Sequence, residues 1–349
     1  MDATCRAPLV QRQELAEHVS DQNLIRIVYS RDYNGAADLP FYLQRLEEIV
    51  MELREDSKTE GHTIPDEVSS LHTKACMIWY QLGNWASSYF LTRIWHYISG
   101  RIAGPKSPSS VWWLSHRYSS LISLLRNISD DTSVSMQAPG NMSNKVERLL
   151  FFLKEKACAS LSGIIFVRER ATAYILSALL NEHPLTHGLF RCAPCVSSST
   201  HSDHWATHNS SISKNSEAVV NDFRCGTNNL IVATNVLEEG IDIPACHLVI
   251  SFELPENITS YIQRRGRARQ GISEFVIMEE DNHESLVSRQ SRQWNVLERR
   301  MQELCLDHHR RPQIVEIDDG ESEKIVLQLS LDTGFVFSVI ISVPMANTR

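Results

Sequence analysis

Four short runs of apolar residues punctuate the second half of the chain: Gly163–Val167 (GIIFV), Leu230–Ala233 (LIVA), His247–Phe252 (HLVISF) and Glu274–Met278 (EFVIM). Stretches of helical periodicity separate them. NKVERLLFFLKEK puts Val146, Leu149, Leu150 and Leu153 on one helical face, and RERATAYILSALLN follows the first run as a second helix. Continuous apolar strands alternating with helices predict a parallel sheet covered on both faces. The pattern therefore predicts one α/β domain over about residues 145–283.

The first half carries a different pattern. Residues 1 to about 135 read as helical. LPFYLQRLEEIVMELRE spaces Phe41, Leu43, Leu46, Ile49, Val50 and Leu53 as a helix would. LHTKACMIWYQLGNWASSYFLTRIWHYI carries Trp79, Tyr80, Trp85, Phe90, Ile94 and Trp95, an aromatic stripe that reads as core. SDDTSVSMQAPGNMSN is a linker by composition. Arg191–Asn215, rich in Ser and His, reads as a surface loop within the α/β domain. A long exposed helix is expected from Glu284. The last 37 residues alternate like a strand pair, with Asp332-Thr333-Gly334 at the turn.

Composition narrows the function only slightly. The 349 residues are 42% hydrophobic and 22% charged, with a net charge of −8, which excludes a uniformly basic nucleic-acid coat but not a local cationic site. The 8 cysteines form no framework, and no stretch has the roughly 18 uninterrupted apolar residues of a membrane span. A reduced intracellular setting, cytoplasmic or nuclear, with no membrane partner, is the expectation.

The chemistry gathers between Leu230 and Gln270: LIVATNVLEEGIDIPACHLVISFELPENITSYIQRRGRARQ. Ligands of open parallel sheets bind beyond the carboxyl ends of the strands, which is where Thr234 falls. Gly240 permits close approach of backbone to ligand, with Asp242 two residues on. Pro255 suits a helix start. On a helix through SYIQRRGRAR, Gln263 and Arg267 share a face, and Arg264 neighbours Arg267. With no acid run nearby, these arginines read as a clamp for phosphate, which accepts bidentate guanidinium contacts.

ATNVLEEGIDIP followed by YIQRRGRAR resembles motifs five and six of superfamily-two RNA helicases, in the Dicer and antiviral RNA-sensor branch. GIIFVRERATA resembles motif four, and FRCGTNNLIVAT resembles the approach to motif five. The opening MDATCRAPLVQRQEL and the helical block are similar to the corresponding parts of fungal Dicer-like proteins. The resemblance implies a RecA-like helicase C-terminal domain preceded by an all-helical insertion domain. It divides the chain into a remnant at 1–20, the helical insertion at 21–140, the RecA-like domain at 141–283, a pincer-like helix at 284–312 and a tail at 313–349. It also implies site roles: Arg267 as arginine finger, Gln263 at the phosphates, Gly240 and Asp242 at the nucleotide, Arg264 and Arg269 as helpers, and Thr234 on the RNA backbone. Asn235 stands where a serine is usual, and Gln270 where other helicases place their last arginine.

ATP hydrolysis in this family needs a second motor domain with a G-x-x-x-x-G-K-[ST] loop and an acid for Mg²⁺, and the sequence carries neither. The expectation is a piece of a longer protein. The intact enzyme would use ATP and Mg²⁺ on double-stranded RNA, whereas the chain alone would bind neither cofactor tightly and hydrolyse nothing. The alternative is a non-enzymatic RNA-binding or interaction fragment. Cys192-x-x-Cys195 with His201, His204 and His208 has spacing that permits zinc, but the surroundings read as a variable loop and no metal site is expected.

Overall fold

The computed structural model describes residues 22–30, 39–61, 64, 66–103, 116–131, 133–158, 160–197, 216–238, 241, 243–269, 273–281, 313–318, 323–330 and 336–343. The chain divides into two compact units, one of His18–Trp294 and one of Met1–Glu17 with Asn295–Arg349.

The larger unit is built on a six-stranded parallel sheet of β1 (Gln22–Tyr29), β2 (Gly163–Phe166), β3 (Cys192–Cys195), β4 (Leu230–Ala233), β5 (Leu248–Ser251) and β6 (Ser273–Glu280). The spatial order is β1-β6-β5-β2-β4-β3, and every pairing is parallel. The four apolar runs are strands β2, β4, β5 and β6. Strands β2, β4 and β5 are buried at every position, as continuous apolar composition requires of a sheet covered on both faces. Gly163 opens β2 because a side chain there would press on Leu248 O and the Leu230 methyl.

The helical block is present: α1 (Phe41–Glu60), α2 (Asp66–Leu82), α3 (Asn84–Ala103) and α4 (Ser119–Asp130). Leu43, Leu46, Leu53, Ile78, Leu82, Phe90 and Leu121 are buried in it, so the apolar and aromatic stripes are core. Gly83 turns the chain between α2 and α3 at φ +109°, where a Cβ would stand 2.6 Å from Asn141 O. What differs from expectation is the stretch read as helical ahead of α1. Residues 22–29 form strand β1, paired with β6 at the sheet edge, so the helices are inserted after the first strand. Its alternation of Ile25, Ile27 and Tyr29 (partly buried) with Arg26 and Val28 (exposed) is that of a half-covered edge strand.

Beyond the linker come α5 (Asn144–Lys156), α6 (Arg170–Glu182), α7 (Ser216–Arg224) and α8 (Ile258–Arg265). The four inward residues predicted for α5 are buried, and Ser143 caps it by accepting from Val146 N at 3.2 Å. The segment expected to be a loop from Arg191 begins instead as strand β3. Pro194 is tolerated because β3 is an edge strand, paired on one side only. In a strand, residues three apart point to opposite faces, so Cys192 and Cys195 do not form a two-thiolate pincer. His201, His204 and His208 lie outside the described residues, as does the helix expected from Glu284.

The smaller unit contains a three-stranded antiparallel sheet in the order β7 (Gln313–Asp318), β8 (Glu323–Ser330), β9 (Val336–Val343). The expected terminal strand pair is β8 and β9, and the turn at 332–334 lies outside the described residues. Among the described residues no helix is long and apolar enough to cross a membrane.

Candidate functional site

The parallel register brings the carboxyl ends of β2, β4 and β5 to one edge. Val167 N donates to Ala233 O at 2.8 Å and Phe252 N to Phe166 O at 2.9 Å, so the chain segments leaving these strands start side by side. Thr234 follows β4 there. It is only 3% exposed, its amide donates to Cys195 O at 3.2 Å, and its Oγ1 has no hydrogen-bond partner. A 3-10 turn, Asn235–Leu237, then carries the chain to Glu238.

Helix α8 faces this turn. Asn257, not Pro255, opens it, accepting from Ser260 N at 2.9 Å. The helix ends at Arg265, earlier than the sequence pattern suggested. Arg267 lies in the hydrogen-bonded turn that follows, its amide donating to Arg264 O at 3.1 Å. Gln263 and Arg267 therefore do not share a regular helical face. Gln263 lines an open cleft of about 420 Å³ with Asn235, Glu238, Asn257, Thr259 and Ser260.

The arginines divide in role. Arg267 is half-buried, and its guanidinium donates from Nη2 to Glu238 O at 2.8 Å and from Nη1 to Ile241 O at 3.2 Å. It thus spans the carbonyls on either side of Gly240. Gly240 and Asp242 themselves lie outside the described residues. Arg269, also half-buried, donates from Nε to Gly266 O. Arg264 departs from its expected role as a helper at the phosphates. It is 6% exposed; its Nε donates to Glu238 Oε1 at 2.7 Å, and its Nη1 donates to Ser251 Oγ at 2.8 Å and Glu253 O at 3.2 Å. Its guanidinium also lies 5.1 Å from the centre of the Phe166 ring. The reading that no acid neutralises the cluster fails here, because Glu238 comes from another element, 26 positions upstream.

The acids and thiols respond to this burial. Glu253 is raised above the usual carboxylate range by desolvation, against the opposing pull of Lys145, Arg168 and Arg264. Burial pushes the Cys246 thiol up to about 12, with Arg267 and Arg269 drawing it down. Among the described residues no group of three or more His, Cys, Asp or Glu side chains gathers to hold a metal.

Sequence reasoning overlooked Glu238, Ser251 and Ser260, which fix α8 to the sheet. Ser260 Oγ donates to Glu238 Oε2 at 2.9 Å. The one signal available was the i, i+4 spacing of Ser260 and Arg264, which puts both on one helical face.

Residues 144–271 match the family described as helicase conserved C-terminal domain. The chain is 33% identical to Dicer-like protein 2 of Aspergillus terreus over 339 residues, which is 89% of this chain and 24% of that protein. It is 32% identical to Dicer-like protein 2 of Aspergillus fumigatus over 382 residues, 99% of this chain and 26% of that one. The Neurospora crassa Dicer-like protein 2 is 30% identical over 343 residues. The chain thus spans about a quarter of the length of the curated relatives it matches. Among solved structures, the C-terminal domain of the DEAD-box protein Dbp5 aligns at 21% identity and a TM-score of 0.33, covering 44% of this chain and 77% of that one. The helicase domain of Pyrococcus furiosus Hef aligns at 17% identity and a TM-score of 0.36, covering 79% and 57%.

Proposed function

The chain is a relative of fungal Dicer-like proteins and carries a helicase conserved C-terminal domain, and we propose that it is the second motor half of an ATP-dependent double-stranded-RNA helicase or translocase, acting inside the cell in RNA silencing and antiviral defence. ATP is then bound between this half and a first motor half, which contributes the phosphate loop and the acid for Mg²⁺. The sequence has no G-x-x-x-x-G-K-[ST] loop, so this half does not hydrolyse ATP by itself.

The observation that supports this best is the posture of Arg267. Its planar fork rests on two neutral carbonyls beyond the strand ends, those of Glu238 and Ile241. Phosphate oxygens accept such a fork more strongly, because the hydrogen bonds become charge-assisted. Arg267 would leave these carbonyls for the γ-phosphoryl group and stabilise the charge that develops as it transfers. Gln263, which lines the cleft, would approach the same phosphates. Gly240 and Asp242 would meet the nucleotide, and the buried, unpartnered Thr234 hydroxyl would meet the RNA backbone once the 3-10 turn opens.

The test is reconstitution. The first motor domain of a fungal Dicer-like protein 2, fused ahead of Met1, should create ATPase activity that double-stranded RNA stimulates. A fusion that folds, binds ATP and shows no RNA-stimulated turnover would sink the proposal and favour a non-enzymatic RNA-binding role.

A further inference from the structure

Arg264 and Arg267, one on each side of Gly266, converge on one acid. The Glu238 carboxylate accepts from Arg264 Nε at 2.7 Å and from Ser260 Oγ at 2.9 Å, while its main-chain carbonyl accepts from Arg267 Nη2 at 2.8 Å. Its amide donates to Asn235 O at 2.9 Å, closing the turn. Arg264 in turn is bolted to the end of β5 through Ser251 Oγ and Glu253 O. Glu238 is 9% exposed and Arg264 6% exposed.

We propose that Glu238 is a positioning residue for Arg267. Its carboxylate, locked to α8 by Arg264 and Ser260, fixes where its own carbonyl lies, and that carbonyl holds the guanidinium of Arg267. The proposal rests on Arg267 being the residue that serves the phosphates. A buried ion pair is a poor means of stabilising a fold, since desolvation offsets most of its attraction. It is a good means of fixing geometry, because both ions are satisfied in one arrangement only. In this arrangement the carboxylate has a partner on each oxygen, and the arginine ties the turn after β4 to the end of β5. Releasing the carboxylate would free Glu238 from α8, and the Glu238 carbonyl that accepts from the Arg267 fork would move with it.

The test uses the full chain, ¹⁵N-labelled, without nucleotide or RNA, and reads the rotational freedom of individual guanidinium groups by NMR. Arg191 is the internal control, because it holds Thr227 O and Gly226 O away from this site. In Glu238→Gln the Arg267 guanidinium should reorient about tenfold faster, the effect of weakening roughly one hydrogen bond, while Arg191 is unchanged. Should Glu238→Gln loosen Arg191 as well, the double variant Glu238→Gln, Arg264→Met removes the lone buried charge and restores the fold. Arg267 still mobile in that variant, with Arg191 rigid, supports the positioning role. Arg267 as rigid as in the wild type, in either folded variant, overturns it. Because no nucleotide takes part, that result leaves the motor proposal standing, whereas a rigid Arg267 with no turnover in the reconstituted enzyme has the opposite meaning.

Discussion

The Lys145 ammonium donates to Gln81 Oε1 at 2.6 Å while lying 4.0 Å from the centre of the Phe252 ring and 5.1 Å from that of Tyr29. One buried cation thus touches helix α2, the end of strand β1 and the end of strand β5. Ser143 adds a second link to α2 by donating from Oγ to Gln81 O at 2.7 Å. The helical block and the sheet of this unit are joined at this point by the buried polar groups of Ser143 and Lys145 and the half-buried Gln81.

Lys145 carries a pH prediction. Burial lowers it to about 8 from 10.5, although Glu253 and Glu280 oppose the shift and Arg168 adds to it. Between those values the unfolded chain binds more protons than the folded one, so Lys145 adds stability as pH rises. Relative to Lys145→Met, the wild type should gain about 2–3 kcal/mol between pH 7.5 and 10.5. Denaturant unfolding of both proteins across that window measures it, and a constant difference would refute the assignment.

Thr234→Val should move two properties in opposite directions. The variant replaces a buried hydroxyl that lacks a partner with a methyl group of similar size. Folding should become more stable by roughly 1 kcal/mol. RNA affinity should fall if the hydroxyl serves the RNA backbone. Thermal unfolding and filter binding at two salt concentrations separate the effects; unchanged RNA affinity would remove Thr234 from the interface.

In the reconstituted motor, Arg267→Lys should lower turnover by about 10³-fold, because an ammonium cannot reproduce the planar fork. The same substitution should leave RNA affinity near the wild-type value. A loss of only about twofold, worth a few tenths of a kcal/mol, would make Arg267 a bystander to the chemistry.

Thiol labelling should sort the cysteines by position. Cys158 and Cys225 are exposed, whereas Cys192, Cys195 and Cys246 are buried. Burial also pushes Cys195 up to about 11 and Cys192 further, so little thiolate exists at neutral pH. Among these five, native protein should label at Cys158 and Cys225 and spare Cys192, Cys195 and Cys246. Fast native labelling of Cys192 would mean that β3 opens.

Four of the six strands of the parallel sheet were legible because they are buried on both faces and their composition is unbroken. Strand β1 was not, since an edge position lets Arg26 and Val28 face solvent and breaks the run. Strand β3, Cys-Ala-Pro-Cys, has no β-branched residue and contains a proline, so only its pairing with β4 identifies it. At the candidate site the sequence placed Thr234 beyond the carboxyl end of β4, where it lies. Charge counting misjudged Arg264, because its partner Glu238 is remote in sequence and the cluster looked unopposed. Burial of one guanidinium beside another of similar sequence context is a tertiary fact, and local pattern carries no trace of it.

Strand β1 also bears on how the molecule is made. Among the described residues its one neighbour in the sheet is β6, with Gln22 opposite Ser273 and Tyr29 opposite Glu280. During synthesis the first strand therefore leaves the ribosome long before the strand that will hold it. The helical insertion and four further strands must emerge in between. Closing so long a loop is slow relative to local helix formation. Through that interval Leu24, Ile25 and Ile27 lack their β6 partners, which leaves an unpaired apolar edge open to aggregation until β6 emerges.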